Sequence, residues 1–557
     1  MALEREAYRA LEEIVGKRNV SEDPAILETY RCITSQSSAH YGPFDHRTPK
    51  PQAVVLPGST EEVQEIIQIC NKYKIDFKAA STFWAAMGYI GSDYAIQIDM
   101  IRMDGIEIDA KNGIAVIEPF AIGATVQVEA MKHGYACNIA GVGCSSSVLA
   151  GSAGWVAFGP TSIFMGIASE NLLGAEWVFP DGSLVRTGSL GSDGNWFCGE
   201  GPGPSTRAIF RGWTGTAGTM GVCTKIAIRL HPWPGPKWIP TRGTAPIYRT
   251  DGLDNFRTYT ICFPTWEAYA EGFRLLYEAD ICYLAHRQFN MFGRDIKTAM
   301  LRILTDHDLQ FCDLPEVMAD PEIKAANDKM KIDVQLVMAG ITERDLDYKE
   351  KALNAILEQI GASKSEWMLE KDMHDFVLLY LLRLGRKNYN YTLCGSYEGN
   401  FGLSANVFVA APLMEEAAAV KVKWEQEHTS IAAVGGDSDM GSVSGIGGGG
   451  TTGWEFFVHF DAYDKDSIRG TKEFIDVTQA WMTEKGLGAD FGRWNAEARR
   501  PDSYNYTQEE QDAFFGKLPQ PEIAEYQWKV REAFNPLHLT GSYYKTMTPR
   551  GCAEGEE

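Results

Sequence analysis

Six consecutive residues near the middle of the chain, His231-Pro232-Trp233-Pro234-Gly235-Pro236, contain three prolines and a glycine. Each proline fixes its own φ, lacks an N–H and biases the residue before it away from helix. Neither a helix nor a central strand can run through such a stretch. The chain is therefore expected to fold as at least two units that meet here. Its 557 residues agree, being too many for one ordinary hydrophobic core.

The patterning differs on the two sides of this break. On the N-terminal side, Ala53-Val54-Val55-Leu56 is a short apolar run stopped by Pro57. Ser59 or Thr60 can then cap a helix whose first turn carries Glu61 and Glu62, at the positive end of the helix dipole. Val63, Ile66, Ile67 and Cys70 recur at helical spacing, and 77–80 reads as a second strand, so 53–80 is a β-α-β unit. Short strands are predicted at 95–98, 105–108, 114–117 and 176–179, with a helix at 125–133. Pro180-Asp181-Gly182 turns the chain into a further strand at 183–187. Residues 222–230 alternate apolar and polar, which predicts a half-buried strand.

Beyond the break, helical patterns fall at 265–280, 295–305, 345–360 and 410–428, and strand-like runs at 332–338, 404–410 and 455–462. A last helix is predicted at about 508–532. The Gly/Ser-rich run at 434–453 reads either as a plain loop or as a mobile segment over a site.

The formal charge of -22 disfavours nucleic acid and anionic membrane as partners. No apolar run reaches the roughly 18 residues of a membrane span, and the charged amphipathic start lacks a signal-peptide core. Eleven cysteines without a CxxC pair suggest reduced thiols and a cytoplasmic setting. No HExxH, HxH or zinc-spaced Cys/His cluster is present, so no metal is expected.

Four segments of the first half are richer in small residues than a packed core needs. They are 81–91 (STFWAAMGYIG), 119–125, 141–154 (GVGCSSSVLAGSAG) and 215–221 (GTAGTMG). Small side chains let backbone N–H groups approach a diphosphate and donate to it. None of the four is a GxGxxG between strand and helix, and GxxxxGK[ST] is absent, so both standard nucleotide fingerprints are missing.

In this order, six pieces resemble one known family. PQAVVLPGSTEEVQEIIQICNKYKI, STFWAAMGYIG, VIEPFAIGATVQV, GVGCSSSVLAGSAG, GAEWVFPDGSLVRTG and GTAGTMGVCTKIAIRLHPWPG are similar to successive parts of the FAD-linked oxidases of the vanillyl-alcohol oxidase and p-cresol methylhydroxylase (PCMH) type. The resemblance covers most of the first 235 residues, and FNPLHLTG at 534–541 is similar to the family's tail segment. It implies an α+β fold with two domains: an FAD-binding domain at 1–238, a cap or substrate domain with an antiparallel sheet at 239–499, and a return to the FAD domain at 500–557.

The resemblance also implies site residues. Cofactor contacts would come from Ser81, Thr82, Gly88, Tyr89, Pro119, Gly141, Gly143, Ser145, Ser146, Gly151, Ser152, Gly221 and Val222. The first loop departs from the family pattern, because Phe83-Trp84-Ala85 stands where a glycine and a basic residue are usual. The diphosphate contact is therefore expected to rely more on backbone. No His stands where some members link flavin covalently, the nearest being His459, so non-covalent FAD is expected. Cys144 reads as a structural thiol or, less simply, as a linkage.

Tyr89 and Arg493 match family positions that hold a phenolate, and the pair would equally hold a carboxylate. In the plainer reading, Tyr89 packs on the loop and Arg493 makes a surface ion pair. Strand alternation places Glu455 and His459 on one face, making them candidates for proton transfer, with a core His as the plainer reading of His459. The expected activity is hydride transfer from a small organic substrate, a phenolic or aromatic alcohol or alkylphenol, to flavin N5. Alternatives are a 2-hydroxy acid dehydrogenase and a flavoprotein subunit that passes electrons to a protein acceptor. Relatives suggest a homodimer or larger.

Overall fold

In the computed structural model, residues 3–30, 50–83, 88–90, 94–139, 143–154, 157, 159–188, 220–243, 249–287, 297–306, 308–369, 371–382, 396–427, 451–460, 465–485, 533–535, 537 and 539–540 are described. The N-terminal half is built on two sheets. In the first, β2 (Val54–Val55) and β3 (Asp76–Ala80) both run parallel to β4 (Ala95–Asp99), and β1 (Val20–Ser21) pairs antiparallel with β2. Parallel neighbours need a crossover. Helix Thr60–Tyr73 supplies it, capped by the Ser59 hydroxyl, which accepts from Glu62 N at 3.2 Å. Its buried stripe is Val63, Ile66, Ile67 and Cys70, against which helix Arg5–Val15 lays Ala7, Leu11 and Val15. Leu11 is fully buried, which stabilises the docking by about 2 kcal/mol.

The second sheet is antiparallel throughout. It contains β5 (Ile106–Asp109), β6 (Ile114–Ile117), β7 (Leu172–Val178), β8 (Leu184–Gly188) and β9 (Val222–Arg229), in the order β5-β6-β9-β7-β8. The expected half-burial of 222–230 is not what forms. β9 is central, and all of it but Lys225 and Arg229 is buried: Val222 joins the core of the first sheet, while Cys223, Ile226 and Ile228 join that of the second. Thr224 is tolerated there because its hydroxyl donates to Glu176 Oε1 at 3.0 Å. Glu176 also accepts from Thr60 Oγ1 (2.8 Å) and Arg186 Nε (2.7 Å). Burial alone would push this carboxyl up, but its three donors outweigh it and hold it below the usual range. The two sheets are thus tied through one buried carboxylate.

The remainder carries an antiparallel sheet of β10 (Phe256–Cys262), β11 (Leu284–His286), β12 (Asp333–Ala339) and β13 (Ser363–Lys364), in the order β11-β12-β10-β13. Helices Trp266–Glu278 and Glu343–Ile360 cover it, capped by Thr265 and Thr342. A separate antiparallel ribbon joins β14 (Ser396–Asn406) to β15 (Thr451–Phe460). The strand expected at 404–410 is cut short at Asn406, and 407–410 is helical. Val407 and Ala410 are buried while Phe408 and Val409 are exposed, a helical spacing that overrides the β-preference of these side chains. The helix expected at 508–532 and most of the Gly/Ser-rich run lie outside the described residues. Near the C-terminus, Leu539 O accepts from Phe77 N at 2.8 Å and Thr540 bridges Phe77 in parallel, so these residues extend the first sheet.

The proline-rich break is held firmly. His231–Pro232 pairs with Tyr135–Ala136, and Trp233 packs against Phe256, ring centroids 5.0 Å apart. His231 Nε2 lies 2.7 Å from Asn171 Oδ1. The Asn171 amide donates to Met165 O and Ile167 O, so its oxygen is the acceptor and His231 the donor. Burial, helped by Arg229, pushes the imidazole down to about 4. A depressed folded value means that the neutral ring stabilises above the unfolded value of about 6.5, and that this contribution is lost as pH falls towards 4. We expect stability to fall by roughly 1–3 kcal/mol across that window. His231→Gln, which cannot titrate, should flatten the slope in urea denaturation measured from pH 7 to 4; an unchanged slope would place the titrating group elsewhere.

Candidate functional site

Three of the four small-residue segments converge, and Ser147 is the point where they meet. Its backbone N–H donates to Thr82 Oγ1 (3.1 Å) and its hydroxyl donates to Pro119 O (2.6 Å). The same oxygen accepts from Ala150 N at 3.0 Å. Ile122 and Ser147 form an antiparallel bridge, and Val148 N reaches Ala121 O. One serine thereby fixes the first loop, the 119–125 turn and the loop at 143–154 to one another.

The helix Gly123–Lys132 starts inside this knot. Its first amides do not face solvent: Gly123 N donates to Ser146 O (3.0 Å) and Ala124 N to Cys144 O (2.8 Å). At Gly123 a Cβ would lie 3.0 Å from the Ile139 side chain, which would have to give way. Ser146 closes its own turn by donating to Gly143 O at 2.7 Å, and Gly143 takes φ +133°, which a side chain would oppose. Residues 150–154 then form a single π-helical turn, a form that recurs at functional sites. At Gly151 a Cβ would lie 3.1 Å from the Ala157 side chain.

The first loop leaves β3 at Ser81, and both Ser81 and Thr82 are half-buried. Its far side is pinned by Gln97, whose amide donates to Lys78 O (2.9 Å) and Gly88 O (3.1 Å). Phe83 has φ +52° although it is not glycine, a conformation that costs about 1–2 kcal/mol for a bulky residue. Its ring lies 5.1 Å from that of Tyr89 and 5.6 Å from that of Tyr30. The Tyr30 hydroxyl donates to Asp99 Oδ2 at 2.6 Å, and Asp99 Oδ1 accepts from Ile101 N at 3.0 Å.

Sequence reasoning located most of this cluster but missed its hub. Thr82, Pro119, Gly143, Ser146 and Gly151 were named and are assembled here; Ser145 lies half-buried on the same loop. Ser147 was not singled out. The run Cys144-Ser145-Ser146-Ser147 offered three hydroxyls; Ser146 and Ser147 are both buried, and only the bond from Ser147 to Pro119 O singles it out as the hub. Gly221 and Val222 sit apart from the knot, at the start of β9, where Gly221 has φ +91° and Val222 pairs with Val178 in the core. Met220, just before them, shares an apolar core with Ala121, Cys144 and Ala153. Glu455 and His459 occupy alternate positions on β15, across from Phe401 and Tyr397. Gly141 and Arg493 lie outside the described residues. Among the described residues no group of His, Cys, Asp or Glu has the makings of a metal site.

The cluster fits a phosphate-bearing cofactor. Ser152 is 1% exposed, and its hydroxyl has no hydrogen-bond partner among the described residues. An unsatisfied buried hydroxyl costs about 1–3 kcal/mol, which a ligand oxygen placed there would recover. Together, a β-α-β sheet, an antiparallel sheet and a knot of small-residue loops, followed by a further antiparallel sheet with its own helices, make a two-domain α+β arrangement.

The comparisons agree. Residues 51–188 match the family model described as FAD binding domain. An uncharacterized FAD-linked oxidoreductase of Mycobacterium tuberculosis (strain ATCC 25618 / H37Rv) is 26% identical over 231 residues, which cover 40% of this chain and 44% of that protein. The chain thus spans less than half the length of that relative. The fold matches 4-ethylphenol oxidase from Gulosibacter chungangensis in complex with isoeugenol, with TM-score 0.68, 18% identity and coverage of 96% of this chain and 95% of that one. It matches substrate-bound p-cresol methylhydroxylase with TM-score 0.68, 14% identity and coverage of 97% and 96%. Residues 51–188 thus match an FAD binding domain, the fold is that of the PCMH-type two-domain proteins, and the cofactor is FAD.

Because Ser147 holds three loops at once, Ser147→Ala should weaken FAD binding about tenfold or more by leaving Pro119 O and Ala150 N without their partner. Titration of the purified apoprotein with FAD, followed by flavin fluorescence, measures this. Unchanged affinity would mean that the knot does not form the cofactor site.

Proposed function

We propose that this protein is an FAD-dependent oxidoreductase that oxidises a small phenolic or aromatic-alcohol substrate. The observation that carries the reading is the Ser147 knot with the buried Ser152 hydroxyl beside it, inside the segment that matches an FAD binding domain. FAD, when bound, supplies the two-electron acceptor for hydride transfer. The protein residues supply what surrounds that chemistry.

Thr82, Ser146 and Ser152 with the backbone of 143–154 would hold the diphosphate, non-covalently. Tyr89 would donate its hydroxyl to a substrate oxyanion, with Arg493 as the matching cation. Tyr89 packs against Phe83, which supports an aromatic wall on that side of the site. Glu455 or His459, at alternate positions of β15, would accept the substrate proton. The likeness in fold to two phenol-oxidising proteins supports the substrate class. We assign 1–238 and 500–557 to the FAD domain and 239–499 to the cap. Buried free thiols at Cys70, Cys137 and Cys223 favour a reducing, cytoplasmic setting.

The test is an absorption spectrum of the purified chain before and after acid precipitation, followed by turnover of para-alkylphenols with a dye acceptor. Flavin bands at roughly 370 and 450 nm, released to the supernatant, are expected. Colour kept in the pellet would mean covalent flavin. Bound flavin that is reduced by 2-hydroxy acids and not by phenols would overturn the substrate class. A colourless chain that takes up no FAD would overturn the function.

A further inference from the structure

The first loop lacks the glycine and basic residue usual in its family, and something else must shape it. Phe83 stands at φ +52°, a conformation that a phenylalanine does not hold unaided. Two rings grip it, Tyr89 from the same loop and Tyr30 from the segment that precedes the whole β-α-β unit. Tyr30 is in turn fixed by its 2.6 Å hydrogen bond to Asp99, at the end of β4. Asp99 is 5% exposed and divides its two oxygens between Tyr30 and the turn at Ile101. The residue next to Phe83 is Thr82, the acceptor for Ser147 N. A continuous path of contacts therefore runs from Asp99 through Tyr30, Phe83 and Thr82 to the serine that joins the three loops.

We propose that Tyr30 is a positioning residue for FAD: anchored on Asp99, it clasps Phe83 in its left-handed conformation and so sets the first loop against the second. The N-terminal segment is then part of the cofactor site, though Tyr30 acts through Phe83 and not on FAD itself. The clasp replaces by packing what a glycine would give by freedom of φ and a basic side chain by charge. Tyr30 lies outside the segment that matches the FAD binding domain, so this contribution is one the domain match does not contain. The inference rests on the reading that the three-loop knot holds FAD.

The experiment measures FAD affinity by fluorescence titration and apoprotein melting, on the full chain, for Tyr30→Phe, Phe83→Gly and Asp99→Asn. Tyr30→Phe keeps the ring and loses the anchor, and FAD should bind about tenfold more weakly. Phe83→Gly relieves the positive φ, so apoprotein melting should stay within about 3 °C of wild type while FAD binding weakens about tenfold or more. Asp99→Asn keeps one acceptor for Ile101 N and a hydrogen-bonding group towards Tyr30, so affinity should stay within about threefold of wild type. Wild-type affinity in both Tyr30→Phe and Phe83→Gly overturns the proposal. So does a Phe83→Gly variant whose melting temperature falls in step with its affinity, since that marks a purely structural role. If wild type itself binds no FAD, the reading of the knot fails first and the proposal with it. Wild-type binding with unaffected variants fails the proposal alone.

Discussion

The hydrogen bonds of Ser147 are the constraint around which the N-terminal half is arranged. A loop made of small residues has little apolar surface to bury and loses much backbone entropy on ordering. It must be held by polar contacts or not at all. Here the holding is concentrated: Thr82, Pro119 and Ala150 all meet one serine, and the amides that open helix Gly123–Lys132 close onto the same loop. The flanking sheets make the arrangement rigid. Glu176 ties helix Thr60–Tyr73 to the second sheet, and Gln97 on β4 ties the far side of the first loop, at Gly88, to β3 at Lys78. Each loop is thereby anchored in a strand or helix within a few residues of where it turns.

Elements with strong local signals were legible in the sequence. The helix from Thr60 carries period and cap together, and it, the strand at 114–117 and the helical patterns at 265–280 and 345–360 appear within a residue or two of where the pattern puts them. The strand at 404–410 misled because Val407, Phe408 and Val409 have β-preferring side chains whose burial is decided by tertiary packing. Burial of β9 on both faces misled for a related reason: Thr224 and Lys225 look solvent-facing until Glu176 is placed beside Thr224.

The site was legible as composition and not as geometry. Small-residue runs marked the three loops, and most of the residues named from them are gathered in one place. The hub and the clasp were not legible. Nothing about Ser147 separates it from Ser145 and Ser146 in the sequence, and Tyr30, Asp99 and Phe83 are distant in the chain with no shared pattern. Contacts of that kind are created by the parallel crossover, which brings the end of β4 back under the loop that follows β3.

The pairing of Thr540 with Phe77 bears on how the molecule is made. β3 lies at the edge of its sheet, next to β4 alone among the labelled strands, and its outer side is met by residues that leave the ribosome long after it. Everything from 239 to 499 is synthesised in between. While that happens, the edge at Phe77 is an unpaired strand, the kind of surface that invites pairing between chains. Domains generally fold in the order they emerge, but this half cannot be completed in that order. Its first sheet therefore gains this outer pairing only after the intervening chain has been made, and a chain stalled short of Leu539 would keep that edge open.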